Sequence, residues 1–272
     1  MSIFLTVLAS DSLQRANENP LAHPPWSTDT FGQAGLQIIS NLAQGTATFT
    51  DCTEIYTGVS LPNDQYASAT LGAGIAGNAN LVLGVRMVDN GSISLGGMPG
   101  YFIRISGTGN GGTWNIQDGS GGHVLVSGSG LTVNSGDVFV LAAIGTTIYL
   151  FQNGVQVTSV VNALWSSGSA MLVCATGASA SAVQVSAFAC GKASLTPGGT
   201  GTGYSVPDCR VAPAGPNSSR VVQGTLIYDV QTSSNKAIPP TDSRASGAPI
   251  DSRASSNVPL NSRTPGTFGP AE

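Results

Sequence analysis

From Ala67 to Phe188 the sequence is a chain of short β-branched and aromatic runs, each closed by turn residues. No stretch keeps an apolar period of 3.6 residues long enough for a substantial helix. The runs are 67–72, 81–88, 101–105, 114–117, 123–126, 138–144, 148–151, 155–157, 170–174 and 183–188. Asn153-Gly154 is the sharpest turn signal, because a two-residue type I′ loop needs positive φ at both central residues. Ile3–Ala9 reads as a first strand rather than a secretory signal, since no Lys or Arg precedes this short run. Strands at regular spacing without helices predict a sandwich or barrel.

Hydrophobic residues make up 41% of the 272, enough for a real core, while charged residues make up only 9%. Gly, Ser, Thr and Asn carry the polarity, which suits tight turns and a surface covered in an assembly. Residues 1–193 hold four Lys and Arg against nine Asp and Glu, and residues 194–272 hold six against five. Neither part has the basic stripe that phosphate neutralisation requires, so direct nucleic-acid binding is not expected. No run approaches the ~18 apolar residues of a membrane span, so no membrane insertion is expected. Cys52, Cys174, Cys190 and Cys209 lack metal-ligand spacing and are too sparse for a disulfide framework. Cys174 and Cys190 lie in apolar runs as expected buried thiols, which fits synthesis in a reducing cytoplasm.

The segment Asp11-Ser12-Leu13-Gln14-Arg15-Ala16-Asn17-Glu18-Asn19-Pro20-Leu21, followed by Trp26, resembles the opening of concanavalin A-like lectin/glucanase jelly-roll domains of phage and bacterial proteins. Gly136–Leu141 and Ile148–Gly154 look like the mid-sheet strands of those domains. The resemblance covers about residues 3–192. It implies an all-β, concanavalin A-like jelly-roll β-sandwich over 1–193.

From Ser194 the texture changes. Residues 194–206 are a Gly/Thr-rich linker, and 207–272 read as an extended, mostly non-globular C-terminal tail. Pro240–Arg244, Pro249–Arg253 and Pro259–Arg263 share Pro-x-[Asp/Asn]-Ser-Arg, and Pro207–Arg210 and Pro216–Arg220 are looser copies. Copies this short, with almost nothing apolar to stack, have no core of their own. The tail therefore reads either as disorder or as a strap, and its kept phase favours the strap. Arg210, Arg220, Asp242, Arg244, Asp251, Arg253, Asn261 and Arg263 are its candidate anchors, the arginines reaching carboxylates or carbonyls of a neighbour. Between the two groups of copies, Val221–Val230 has the pattern of a strand. The ending Asn261–Pro270 looks like tails of phage virion structural proteins.

Catalysis is not expected. Glucanases of this fold place Glu and Asp alternately on one strand so that two carboxylates face the cleft, about 5–5.5 Å apart for retention. Glu18 and Glu54 are the only glutamates before Glu272, and neither lies in such a motif. His23 and His123 lack partners at ligand or triad spacing, so no metal, cofactor or Ser-His-Asp site is expected. Gly107–Gly112 matches GxGxxG, but strands flank it, so it reads as a hairpin loop. Trp26, Trp114, Trp165, Tyr56, Tyr66 and Tyr101 could stack on sugars, although filling the core is the commoner use of such rings. No sugar-binding residue is assigned.

The expectation is a non-enzymatic structural component of a bacteriophage particle: a capsid decoration, head-fibre, collar or tail protein, assembled into the virion in the host cytoplasm. Its partners would be other virion proteins and further copies of itself. The alternative is a carbohydrate-binding adhesin that contacts host surface glycans. A degenerate glycosidase is the remaining reading, with Glu54 its test residue.

Overall fold

Some of the strands, such as Val138–Ile144, come from runs that are apolar at every position, and such runs demand cover on both faces. The structure is a computed structural model, and it describes residues 2–21, 25–28, 34–90, 94–107, 109–196 and 225–229. In chain order the strands begin with β1 (Ser2–Asp11), β2 (Trp26–Thr28), β3 (Leu36–Ile39), β4 (Leu42–Gly45), β5 (Asp51–Tyr56) and β6 (Gln65–Leu71). Next come β7 (Asn80–Met87), β8 (Tyr101–Ser106), β9 (Gly109–Asp118), β10 (His123–Val133), β11 (Val138–Ile144) and β12 (Thr147–Gln152). The last are β13 (Val155–Val161), β14 (Ser169–Ala175), β15 (Val185–Thr196) and β16 (Thr225–Asp229). Helix among the described residues is limited to two 3-10 turns, Leu95–Gly97 and Ala180–Ala182.

One sheet has seven strands in the order β10-β9-β8-β7-β14-β5-β2. The other has nine, β1-β16-β13-β12-β11-β6-β15-β4-β3, and in it β1 pairs with β15 as well as with β16. The main core lies between the sheets. Leu81, Leu83 and Val85 of β7 and Ile103 and Ile105 of β8 meet Phe139 and Leu141 of β11, Ile148 and Leu150 of β12, and Phe188 of β15. Burying each large side chain stabilises the fold by about 1.5–3 kcal/mol.

Alternate residues of the same strands fill two further cores. The double pairing of β1 closes β1, β16, β13, β12, β11, β6 and β15 into a ring. On its face away from the main core are Ile3 and Leu5 of β1, Tyr66 of β6, Val140, Ala142 and Ile144 of β11, and Tyr149 and Phe151 of β12. Strand β1 serves both cores through a register shift between Val7 and Ala9, which turns Leu5 to one and Ala9 to the other. Gly191 lies opposite Val7, where a Cβ would run into the carbonyl oxygen of Thr6. The outer face of the seven-stranded sheet is covered in the same way: Leu95 and Met98 lie over Val82, Phe102, Met171 and Val173.

The first strand and the mid-sheet strands form as the pattern predicts, whereas Gly109–Gly112 of the GxGxxG stretch lie in strand β9 and pair with β10 rather than forming a loop. Asn153 and Gly154 take φ of 51° and 81°, as the type I′ loop requires. Strand β15 continues to Thr196, past the Ser194 change in texture. Within the run Val221–Val230, Thr225–Asp229 is a strand, and it pairs with β1 of the same sheet.

Candidate functional site

Register across the seven-stranded sheet lines up outward-facing residues in rows. Phe102 of β8 stands opposite Gln117 of β9, Arg104 opposite Asn115, and Ser106 opposite Thr113. Strand β10 extends two of these rows with Ser127 beside Asn115 and Ser129 beside Thr113. On the other side Arg104 stands opposite Val82, which pairs through β14 toward Thr53 of β5. The apolar end of this face is capped by Leu95 and Met98, and beyond Phe102 the side chains become amides, hydroxyls and one guanidinium.

That guanidinium is held in place. Its carbon lies 5.8 Å from the centroid of the Phe102 ring, and Nη2 is 3.3 Å from Oδ2 of Asp51. The two charged side chains are 25% and 23% exposed, so the pair is reachable but not fully solvated. Gln117 Nε2 donates to Asn115 Oδ1 at 2.7 Å, and the Ser106 and Thr113 hydroxyls are hydrogen-bonded to each other. A guanidinium offers five N–H donors in a fixed fork, and Asp51 takes one of them. The result is a band of oriented donors and acceptors on rigid strands, suited to a ligand rich in hydroxyl groups.

The same geometry places the residues singled out by pattern. Glu54 is fully buried, and its Oε1 accepts the backbone N–H of Leu36 at 3.2 Å. Glu18 is paired with Arg15 at 2.9 Å. Neither glutamate stands on the outward band, and no facing carboxylate pair forms there among the described residues. At the β9–β10 turn His123, Asp118 and Ser120 meet, but in the wrong order for a triad. Asp118 accepts from the Ser120 hydroxyl, and His123 Nδ1 lies 3.5 Å from its other oxygen, whereas a nucleophilic serine must bond to the histidine. No three metal-ligating side chains come together among the described residues. No helix among the described residues is long and apolar enough to cross a membrane.

Trp26, Tyr56, Tyr66 and Tyr101 are buried, and Trp114 and Trp165 pack against the main core, so these rings fill the sandwich. The band itself went unassigned in the sequence. Its only sequence signal is the polar alternation in Tyr101–Ser106 and Thr113–Gln117, which register alone brings side by side. The candidate anchors Arg210, Arg220, Asp242, Arg244, Asp251, Arg253, Asn261 and Arg263 lie outside the described residues, as do His23 and Cys209. Away from the band, a concavity of about 410 Å³ lies at Thr132, Asn134, Asp137, Gln152 and Asn153. Its polar groups are spent on one another. Asp137 accepts from Asn134 N and Asn153 Nδ2, both at 2.8 Å, and from Gln152 Nε2 at 3.0 Å, which fastens the Asn153-Gly154 turn.

Cys174 and Cys190 are buried free thiols, as expected, and Cys52 is a third. Burial pushes Cys190 from 9.0 up to about 12, and burial together with nearby Cys52 raises Cys174 well above its ordinary value. Thiolate is the reactive form, so these positions are inert in the native state. With a thiol-exchange reagent at pH 8, at most one cysteine per chain should react before unfolding. Two or more would contradict this burial. Because the folded values are raised, the thiols favour the native state fully below pH 9, and this contribution fades as pH climbs toward 12.

No family model matches the chain, and no curated protein matches it in sequence. Solved structures match it in fold. A Bacillus subtilis protein of unknown function with a galectin-like fold superposes with a TM-score of 0.52 at 10% identity, covering 71% of this chain and 99% of that one. The carbohydrate binding module CBM66 from Bacillus subtilis gives 0.40 at 15% identity, covering 62% and 93%. The Ca²⁺-bound exoplasmic/lumenal domain of VIP36 gives 0.48 at 9% identity, covering 66% and 87%. The fold is thus an all-β sandwich of the galectin-like and concanavalin A-like kind, as the N-terminal segment implied.

Proposed function

We propose that the sandwich is a non-enzymatic glycan-binding module, displayed from a larger assembly by the C-terminal tail. The observation that carries this reading is the outward band of Arg104, Asn115 and Gln117, with Ser106, Thr113, Ser127 and Ser129 around it. Planar amide and guanidinium groups on adjacent strands offer several donors and acceptors side by side to a run of sugar hydroxyls, and Phe102 and Asp51 hold the guanidinium in one orientation. The band lacks the facing carboxylates that hydrolysis requires, which supports binding rather than cleavage. With no exposed ring on the band itself among the described residues, single-site affinity should be weak, about 1 mM, or about −4 kcal/mol. Weak sites serve well when many copies act together. A bacteriophage particle is the multi-copy assembly that the tail's resemblance suggests, and that placement belongs to the same proposal.

The test is Arg104→Ala in the full chain, titrated with oligosaccharides from bacterial surfaces and followed by NMR shifts of the β8 and β9 amides. Binding should weaken at least about tenfold, equivalent to about 1.4 kcal/mol. Stability should change by less than about 1 kcal/mol, because the ion pair is partly exposed. Unchanged binding in the variant, or no binding by the parent chain, would overturn the reading.

A further inference from the structure

Strands β15 and β16 both run antiparallel to β1, on its two sides, and residues 197–224 join them. Thr196 pairs with Ser2 and Thr225 pairs with Thr6. The join must therefore cover four residues along the strand and two strand spacings across, roughly 16 Å. The 28 residues between the two strands can span roughly 90 Å when extended. The connection is several times longer than closing its own ring requires. Five register positions hold β16 to β1, and one parallel bridge, Val155 to Asp229, holds it to β13.

We propose that β16 is an exchangeable strand, which closes the ring of its own sandwich when copies are dilute and that of a neighbouring copy when they are crowded. The backbone ladder is identical in the two arrangements, so only concentration and reach decide between them. A strand on a tether of this length has an effective concentration in the millimolar range at its own β1. Neighbours held side by side in an assembly reach the same range and compete evenly. Exchange would thread one copy to the next through Thr225–Asp229, and it would supply the valency that weak sites need. The inference does not depend on glycan binding, which the Arg104 titration reads separately.

The test uses the full chain in a Cys209→Ser background. Phe4 and Ile227 are register partners, so Phe4→Cys and Ile227→Cys are placed on separate copies. The two variants are unfolded together, refolded as a mixture and treated with a short bismaleimide. At about 1 mM, on the order of a tenth or more of the chains should appear as linked heterodimer, falling at least tenfold at about 10 µM. The double variant should link within one chain when dilute. An internal link in the double variant with no heterodimer at 1 mM would overturn exchange. Absence of both links would overturn the seating of β16 on β1. Adding Leu226→Pro and Tyr228→Pro to the Ile227→Cys copy should abolish the heterodimer, and its persistence would also overturn the proposal.

Discussion

Replacing Arg86 with leucine should destabilise the sandwich by about 3–5 kcal/mol, because it removes a buried cation to which several part-buried acceptors are fitted. Arg86 is 2% exposed. Its Nε donates to the carbonyl of Asn63 at 2.8 Å and Nη1 to that of Trp165 at 2.9 Å, while Nη2 lies 3.5 Å from Asp64. Its backbone N–H donates to Gln65 Oε1, and Gln65 Nε2 in turn donates to the carbonyls of Pro62 and Gly168. Tyr101 completes the junction, its hydroxyl bonded to Asn162 and accepting from the N–H of Trp165. One side chain thus ties the segment before β6 to the segment before β14. Burial lowers the pKa of Arg86, and Tyr101 and Asp64 oppose that shift. Leucine would leave the part-buried carbonyls of Asn63 and Trp165 without this donor. The loss corresponds to a fall in melting temperature of roughly 6–20 °C for a unit of this size. Arg86→Lys should lose about half as much, since an ammonium keeps the charge without the fork. Thermal and denaturant unfolding read both variants, and a leucine variant within about 1 kcal/mol of the parent would refute the account.

Trp26→Ala should cost a comparable amount, about 3–5 kcal/mol, by a different route. The indole is 5% exposed and sits edge-on to Tyr56 and Phe188, with ring centroids at 5.1 and 4.8 Å. Its Nε1–H donates to Asp11 Oδ2 at 2.8 Å. Asp11 Oδ1 accepts the N–H of Leu13 at 2.8 Å and Arg15 Nη1 at 2.7 Å. Alanine would leave a large cavity between the sheets and free the three-residue strand β2 from its anchor. Trp26→Phe retains most of the ring and should lose only about 1–2 kcal/mol, chiefly the bond to Asp11. Equal losses for the two variants, measured by equilibrium unfolding, would show that the ring's volume carries no weight.

These two residues also show where the sequence was readable. Asp11, Arg15, Glu18 and Trp26 carried the family resemblance, and the structure gives that motif a physical role as a clasp on the first strand. Strand order along the chain and the Asn153-Gly154 turn were legible because both depend on local chemistry. The cover on the second face of each sheet was written into runs such as Val138–Ile144, which have no polar alternation, yet only tertiary pairing names what lies on that face. Arg86 gave no signal. It lies at a register shift between β7 and β14 with φ of 55°, and nothing local in Leu-Gly-Val-Arg-Met announces a bulge. The band around Arg104 was invisible for a related reason. Its members come from separate strands, and register decides which of their side chains become neighbours.

Double cover has a consequence for how the molecule meets others. A sheet with one wet face has a charged or polar site at every second position. Strands such as β11 here have none, and few ionic groups lie outside turns, edges and the outward rows. That accounts for a charged fraction of only 9%. The field such a surface projects is weak beyond a Debye length of about 8 Å at physiological ionic strength. Encounters would then proceed without electrostatic steering, at rates that depend little on salt, and selectivity would be exerted only after contact.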